Sequence, residues 1–252
     1  MIHFFKTILF IPLYNILIWL TNVIPGADLG LAIIILTILV KIVIFPLYKK
    51  SVVTQKKMKA IEPEMKLIKE KHKDNVTEQS RLTMELYKKE KINPFSGFLV
   101  LFIQMPIIIA LYYVFRESFV VQKDLIYSFI SAPNHINTSF LGLINLTVGK
   151  NYVLALLTGV TMYIQVSLSL PKKNKSKSDE QNKSFGQDLA KSMDLQMRYA
   201  MPAITMVIAF TLPAAISLYW VTSNIFSSIY EVLVIKKIKN QDALDRASKT
   251  SA

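Results

Sequence analysis

Apolar residues gather in long runs separated by lysine-dense stretches, and the run lengths set the first expectations. A hydrocarbon layer of ~30 Å needs ~20 apolar residues in a helix. Residues 29–48, LGLAIIILTILVKIVIFPLY, form one such run, interrupted by a single charge at Lys41. A second covers 96–116, with Asn93-Pro94 before it as a helix start, and a third covers 152–170, stopped by Pro171. Residues 199–235 are almost continuously apolar. As one helix they would measure ~55 Å, too long for a bilayer. Pro213 therefore predicts two spans, 199–212 and 216–235, joined by a tight turn. The pattern predicts an all-α membrane protein, a five-span helical bundle.

The remaining segments read differently. Lys6, Pro12 and Asn15 interrupt the apolar run at 4–24, and Lys6, Thr7, Asn15, Thr21 and Asn22 share about half the helix circumference. This predicts an N-terminal interfacial amphipathic helix within 1–28, with an uncleaved signal anchor as the rival. In 49–95, Met58, Ile61, Met65 and Ile68 recur at helical spacing, as do Leu82, Leu86 and Tyr87 after the turn signal Asp74-Asn75. The segment reads as an antiparallel helical hairpin, its first arm kinked or restarted at Pro63. It is either a solvated linker or a mobile platform for substrate and lipid headgroups. Segment 117–151 carries short apolar patches such as 139–146, too short to span and suited to the interface. Segment 171–198 reads as a flexible loop, and 236–252 as a basic tail.

Charge orients these elements. Of the residues behind the net charge of +13, Lys and Arg number 13 in 49–95, 7 in 171–198 and 5 in 236–252, but 3 in 116–151. The rich segments follow the first, third and fifth spans. The positive-inside rule then places the hairpin and the C-terminus in the cytoplasm. Cysteine is absent, which excludes disulfides and thiolate metal sites. His3, His72 and His135 all lie outside the apolar runs and lack metal-ligand spacing.

Polar residues inside the spans carry the functional signal. A charge near the bilayer centre costs on the order of 2.5–3.5 kcal/mol on insertion scales. Lys41 either snorkels to headgroups or lines a wet cavity. The third span sets Thr158, Thr161, Gln165 and Ser169 on one face. The fifth does so with Ser217, Trp220, Asn224, Ser227, Ser228 and Glu231, and the second adds Gln104. Small polar residues often serve only as interhelical glue. With Lys41, the set Gln104, Thr158, Thr161, Gln165, Ser217, Trp220 and Asn224 predicts a hydrophilic groove among the first, third and fifth spans. Enzyme readings find no support, since no span holds a histidine or aspartate and no P-loop or glycine fingerprint occurs. A small secondary transporter would want an internal repeat and an intramembrane carboxylate, and neither is read here. A structural or lipid-binding scaffold is the blander alternative.

Several stretches carry a resemblance. LAIIILTILVKIVIFPL with KKMKAIEPEMKLIKEK, then LYKKEKINPFSGFLVLFIQMPIIIALYY, GVTMYIQ and LPAAISLYWVTSNIFSSIYE are similar to the YidC/Oxa/Alb family of membrane protein insertases, in its short bacterial form. The string from Asn93 to Tyr113 is the most specific part, and the resemblance runs over about 4–238. It implies five core spans, a cytoplasmic hairpin, an outer amphipathic helix, and a groove open to cytoplasm and lipid but closed outside. It also implies insertion and folding assistance for small or weakly polar membrane proteins, without catalysis, cofactor, DNA or small-molecule substrate. The implied partners are nascent membrane proteins, the lipid bilayer, the translating ribosome and the Sec translocon. The family's groove arginine falls at Lys41, which keeps the charge but loses the bidentate fork. Gln165 and Trp220 align with groove positions. The glycine usual near the tight turn is replaced by Ala214-Ala215, and no stretch resembles the long periplasmic domain or the lipid-modified cysteine of some relatives.

Overall fold

A computed structural model describes residues 5–73, 75–93, 96–169 and 195–250, and for 96–103 and 234–250 it describes the backbone. Asp74, Pro94 and most of the loop expected at 171–198 lie outside the described residues. Eight α-helices account for most of the rest: α1 (Ile11–Val23), α2 (Leu29–Ala60), α3 (Glu62–Lys71), α4 (Val76–Lys89), α5 (Ser96–Ser118), α6 (Tyr152–Ser169), α7 (Met201–Thr211) and α8 (Ala214–Thr250). Among the described residues three helical stretches are long and apolar enough to cross a membrane: Lys6–Val23, Leu29–Thr54 and Tyr152–Ser169. The chain divides into two compact units, Met1–Ile42 with Ile107–Ala252, and Val43–Pro106.

In the first unit the helix ends meet at one loop. Pro25-Gly26 breaks the chain after α1, with Gly26 at φ 73°, a left-handed turn that glycine adopts without strain. Asp28 then caps α2, its Oδ1 accepting from the N–H groups of Gly30 (2.7 Å) and Leu31 (3.1 Å). Loop 119–151 closes over this end. Leu29 N–H donates to the Asn137 carbonyl and Asn137 N–H to that of Ala27. Ala214 and Ala215 donate to the carbonyls of Val148 and Leu146, and Lys150 donates to that of Phe210. The first turns of α2, α6 and α8 and the last turn of α7 therefore share one end. The Leu212-Pro213 turn between α7 and α8 falls where the proline predicts it.

The fold is not purely helical. Ser139–Phe140 and Ile144–Asn145 pair as a short antiparallel hairpin, β1 and β2, within the patch read as merely apolar. Gly30 is required beneath it, because a Cβ there would run into the Phe140 side chain. Farther along, Gly159 brings α6 against Met206 of α7, where a Cβ would lie 3.1 Å from the Met206 Cβ.

The polar face of α1 is turned inward. Asn15, expected to mark a solvated face, is 1 % exposed. Its amide donates to the carbonyls of Ile11 (2.9 Å) and Leu125 (2.8 Å) and accepts from the Tyr127 N–H (2.7 Å). Thr21 is buried as well, bonded to the Ile18 carbonyl. Buried backbone groups of a loop demand partners, and α1 supplies them, leaving Ile16, Trp19 and Val23 among its exposed side chains.

In the second unit α2 continues past the expected end at 48 to Ala60. The helix breaks at Ile61, and Pro63 sits in the first turn of α3, where its missing N–H costs nothing. Asn75 caps α4 by accepting from the Glu78 N–H at 3.0 Å. Ile61, Leu86 and Ile92 form a small core between α3 and α4, flanked by Met58, Met65, Ile68 and Tyr87. Burial pushes the Tyr87 hydroxyl above its usual range. On the exposed side Arg81 bridges Glu78 and Glu85, holding the Glu78 carboxyl below its ordinary range.

Candidate functional site

Lys41 is placed by the register of α2. It lies 13 residues beyond Asp28, and Ser227 lies 13 beyond Ala214 at the start of α8. At 1.5 Å per residue both sit about 20 Å from the shared loop end. The Lys41 Nζ donates to Ser227 Oγ at 3.3 Å, crossing from α2 to α8. Around it on α2, Ile35, Leu39 and Ile42 are exposed, the arrangement expected of a lipid-facing helix. One turn earlier Thr37 is buried on the same face, its hydroxyl satisfied by the Ile33 carbonyl.

A polar seam joins α6 to α8. Thr158 Oγ1 donates within its helix to Leu154 O (2.8 Å) and approaches Ser217 O at 3.3 Å. The Asn224 amide donates to Thr161 Oγ1 at 3.2 Å, and Ser169 Oγ donates to Glu231 Oε2 at 2.6 Å. Positions 217, 224 and 231 recur every seven residues, the spacing that keeps one face of a helix on its neighbour. Residue numbers rise together on both helices, so α6 and α8 run in parallel. Away from the loop the partners change from hydroxyl to amide to ammonium and carboxylate. The seam grows more polar with distance from that end.

The expected site residues divide accordingly. Lys41, Thr158, Thr161, Ser217 and Asn224 come together along α2, α6 and α8. Ser217 also donates to the Ala209 carbonyl of α7 at 3.1 Å. Gln165 lies on α6 between Thr161 and Ser169, partly buried, and its carbonyl accepts from Ser169 Oγ. Trp220 lines an apolar pocket with Ile108, Ile109, Tyr112, Tyr113, Leu212 and Ile216. Gln104 belongs to the other compact unit. Glu231, already on the polar face of the fifth run, is 2 % exposed and accepts from Ser169 Oγ. Among the described residues no group of His, Asp or Glu could hold a metal ion.

A helical membrane protein with a lysine bonded across a polar interhelical seam is the class these features define. The sequence profile of the 60Kd inner membrane protein family matches residues 19–242, and the chain belongs to that family. A membrane protein insertase YidC from Oceanobacillus iheyensis is 32% identical over 230 residues, 87% of this chain and 80% of that protein. Proteins of the same name from Ectopseudomonas mendocina (33% over 223 residues) and Alcanivorax borkumensis (35% over 212) align with 88% and 84% of this chain. The chain spans only 33% and 31% of the length of those two relatives. A crystal structure titled as an active YidC insertase with its first transmembrane domain resolved superposes with a TM-score of 0.57 at 23% identity. The match covers 90% of this chain and 46% of that one, and it supports a common fold.

Proposed function

We propose that this chain is a membrane protein insertase and folding chaperone of a bacterial cell membrane, and that it works without catalysis or cofactor. The observation that carries the reading is Lys41, a cation within the apolar α2 whose ammonium engages Ser227 of α8. An isolated charge at this depth is costly, so it persists where polar partners and water reach it. In this reading Lys41, Thr161, Gln165 and Asn224 face a groove open to cytoplasm and lipid, with Thr158 and Ser217 buried behind them in the seam and Trp220 at the margin. Polarity lowers the barrier for a short outer segment of the client. The client's apolar segment then moves into lipid, releasing roughly 0.8 kcal/mol per CH₂ buried.

The proposed topology has five spans, in α2, α5, α6, α7 and α8, with α1 in the outer interface. Residues 49–95 form the cytoplasmic hairpin, and the C-terminus is cytoplasmic. The parallel run of α6 and α8, with α7 returning between them, supports this order. Nascent membrane proteins are the clients. The translating ribosome and the Sec translocon are the proposed partners, with the basic tail 236–252 suited to ribosomal RNA.

Insertion of a model substrate into proteoliposomes tests the reading, with protein amounts matched. Lys41→Arg retains activity, because charge and reach survive. Lys41→Leu lowers insertion of clients with acidic outer segments by about tenfold, the equivalent of ~1.4 kcal/mol, comparable to one charge-assisted hydrogen bond. Equal activity of Lys41→Leu on acidic and neutral clients would remove the charge from the mechanism.

A further inference from the structure

The β1–β2 hairpin presents leucines where a water-facing turn would carry polar residues. Its tip is Leu141-Gly142-Leu143, with Leu143 84 % exposed and Leu141 also exposed. Leu141 adopts φ 51°, a left-handed conformation uncommon for a non-glycine residue. Asp28 holds it there, Oδ2 accepting the Leu141 N–H at 2.8 Å while Oδ1 caps α2. One carboxylate thus fixes both the start of an apolar span and the tip of an apolar turn.

The level of the tip follows from these bonds. Leu141 is tied to the first turn of α2, while Leu146 and Val148 accept from Ala215 and Ala214 at the first turn of α8. The tip therefore lies where the apolar helices begin, at the edge of the hydrocarbon layer. No charged residue occurs between Ser139 and Gly149. Other apolar groups of this end are exposed too, among them Phe129 at 81 %, Tyr152 at the start of α6, and Trp19 on α1. Aromatic residues concentrate at such interfaces because their rings match its mixed polarity.

We propose that this hairpin is a lipid anchor, with Leu141 and Leu143 inserted at the headgroup–acyl boundary of the leaflet on the loop side. Lipid is favoured over a protein partner because the exposed surface is uncharged and lies level with the span ends. The Asp28 clamp transmits that depth to α2, which places Lys41 about 20 Å deeper at 1.5 Å per residue. This inference rests on the membrane location and is independent of insertase activity and of which side is cytoplasmic.

The test uses the full chain in phospholipid vesicles. A single tryptophan replaces Leu143 in a Trp19→Phe, Trp220→Phe background, and a second protein carries Phe129→Trp in the same background. Lipids brominated near the head of the acyl chain are expected to lower the emission at least twofold, bromines near the chain end to lower it less, and aqueous iodide to have little effect. Position 129, highly exposed, keeps the test available if position 143 disturbs folding. Emission quenched by iodide but by no brominated lipid would place the loop in water and overturn the anchor. Emission sensitive to neither would mean a protein surface covers the loop, and would overturn it equally.

Discussion

At the scale of single residues, Asp28 and Lys41 place charge in apolar surroundings for opposite ends. Asp28 is buried, and its carboxylate accepts three backbone N–H bonds, from Gly30, Leu31 and Leu141. Its removal leaves donors of the cap and the turn unsatisfied together. Asp28→Ala is expected to destabilise the protein by about 2–3 kcal/mol, the loss of a cap plus one further buried bond. Asp28→Asn, which keeps one acceptor oxygen, should lose roughly half of that. Thermal unfolding in detergent measures both. Gly30→Ala belongs to the same site, since the new methyl meets the Phe140 ring. It should cost about 1–3 kcal/mol, and Phe140→Ala should make the Gly30→Ala step nearly neutral. Equal penalties in both backgrounds would show that the ring is not what requires the glycine. None of this was visible in the sequence, because Leu141 and Phe140 lie more than a hundred residues from their partners. Only the small residue and the acid before an apolar run were legible. Lys41 was legible because a lone charge in such a run contrasts with its surroundings. Glu231 was legible on the polar face of the fifth run, but its partner Ser169, 62 residues away, was not.

At the scale of elements, local pattern predicted most helices and failed where a partner decides the environment. The apolar period and the Pro213 punctuation fall at α7 and α8, and the Asp74-Asn75 turn signal falls just before α4, where Asn75 proves to be its cap. The polar stripe of α1 had the right residues but a different surrounding: Asn15 donates to the loop carbonyl of Leu125 and accepts from the Tyr127 N–H. Trp220 shares a face with Asn224, yet side chains of α5 make its surroundings apolar. Among the described residues, three buried ones, Ile61, Leu86 and Ile92, form the core of the α3–α4 pair. Its backbone amides should exchange about 100-fold faster than those of α6 and α8, as expected of a locally unfolding unit. Ile61→Ala should accelerate α3 and α4 together, and an effect confined to α3 would mean the two helices do not open as one. The Glu78–Arg81 contact adds a pH dependence. The Glu78 carboxyl titrates below its unfolded value, so its contribution is present above that range and disappears as pH falls through the folded value. Acidification should therefore speed exchange at the start of α4, modestly, because the pair is exposed to solvent.

At the scale of the whole molecule, topology decides whether the seam faces the cytoplasm. Three lysine-rich segments follow the first, third and fifth apolar runs, and 116–151 carries 3 basic residues. The loop-side end gathers the first turns of α2, α6 and α8, and the seam's charged residues lie about 20–26 Å along those helices from it, at 1.5 Å per residue. If the basic segments are cytoplasmic, the ammonium and carboxylate lie toward the cytoplasm, and the hydroxyl end lies beneath the outer loop. A reversed molecule would open its polar end outward. Cysteines at Ser80 and Gln122 separate these cases, because both positions are exposed and the native chain has no cysteine. With an impermeant maleimide added to intact cells, Gln122→Cys should label and Ser80→Cys should label only after lysis. Labelling of both from outside would remove the crossing by α5, which separates them. Labelling of Ser80→Cys alone would invert the molecule, and the groove with it. The basic asymmetry favours the first outcome, since inversion would carry 13 basic residues of 49–95 across the bilayer against the usual bias.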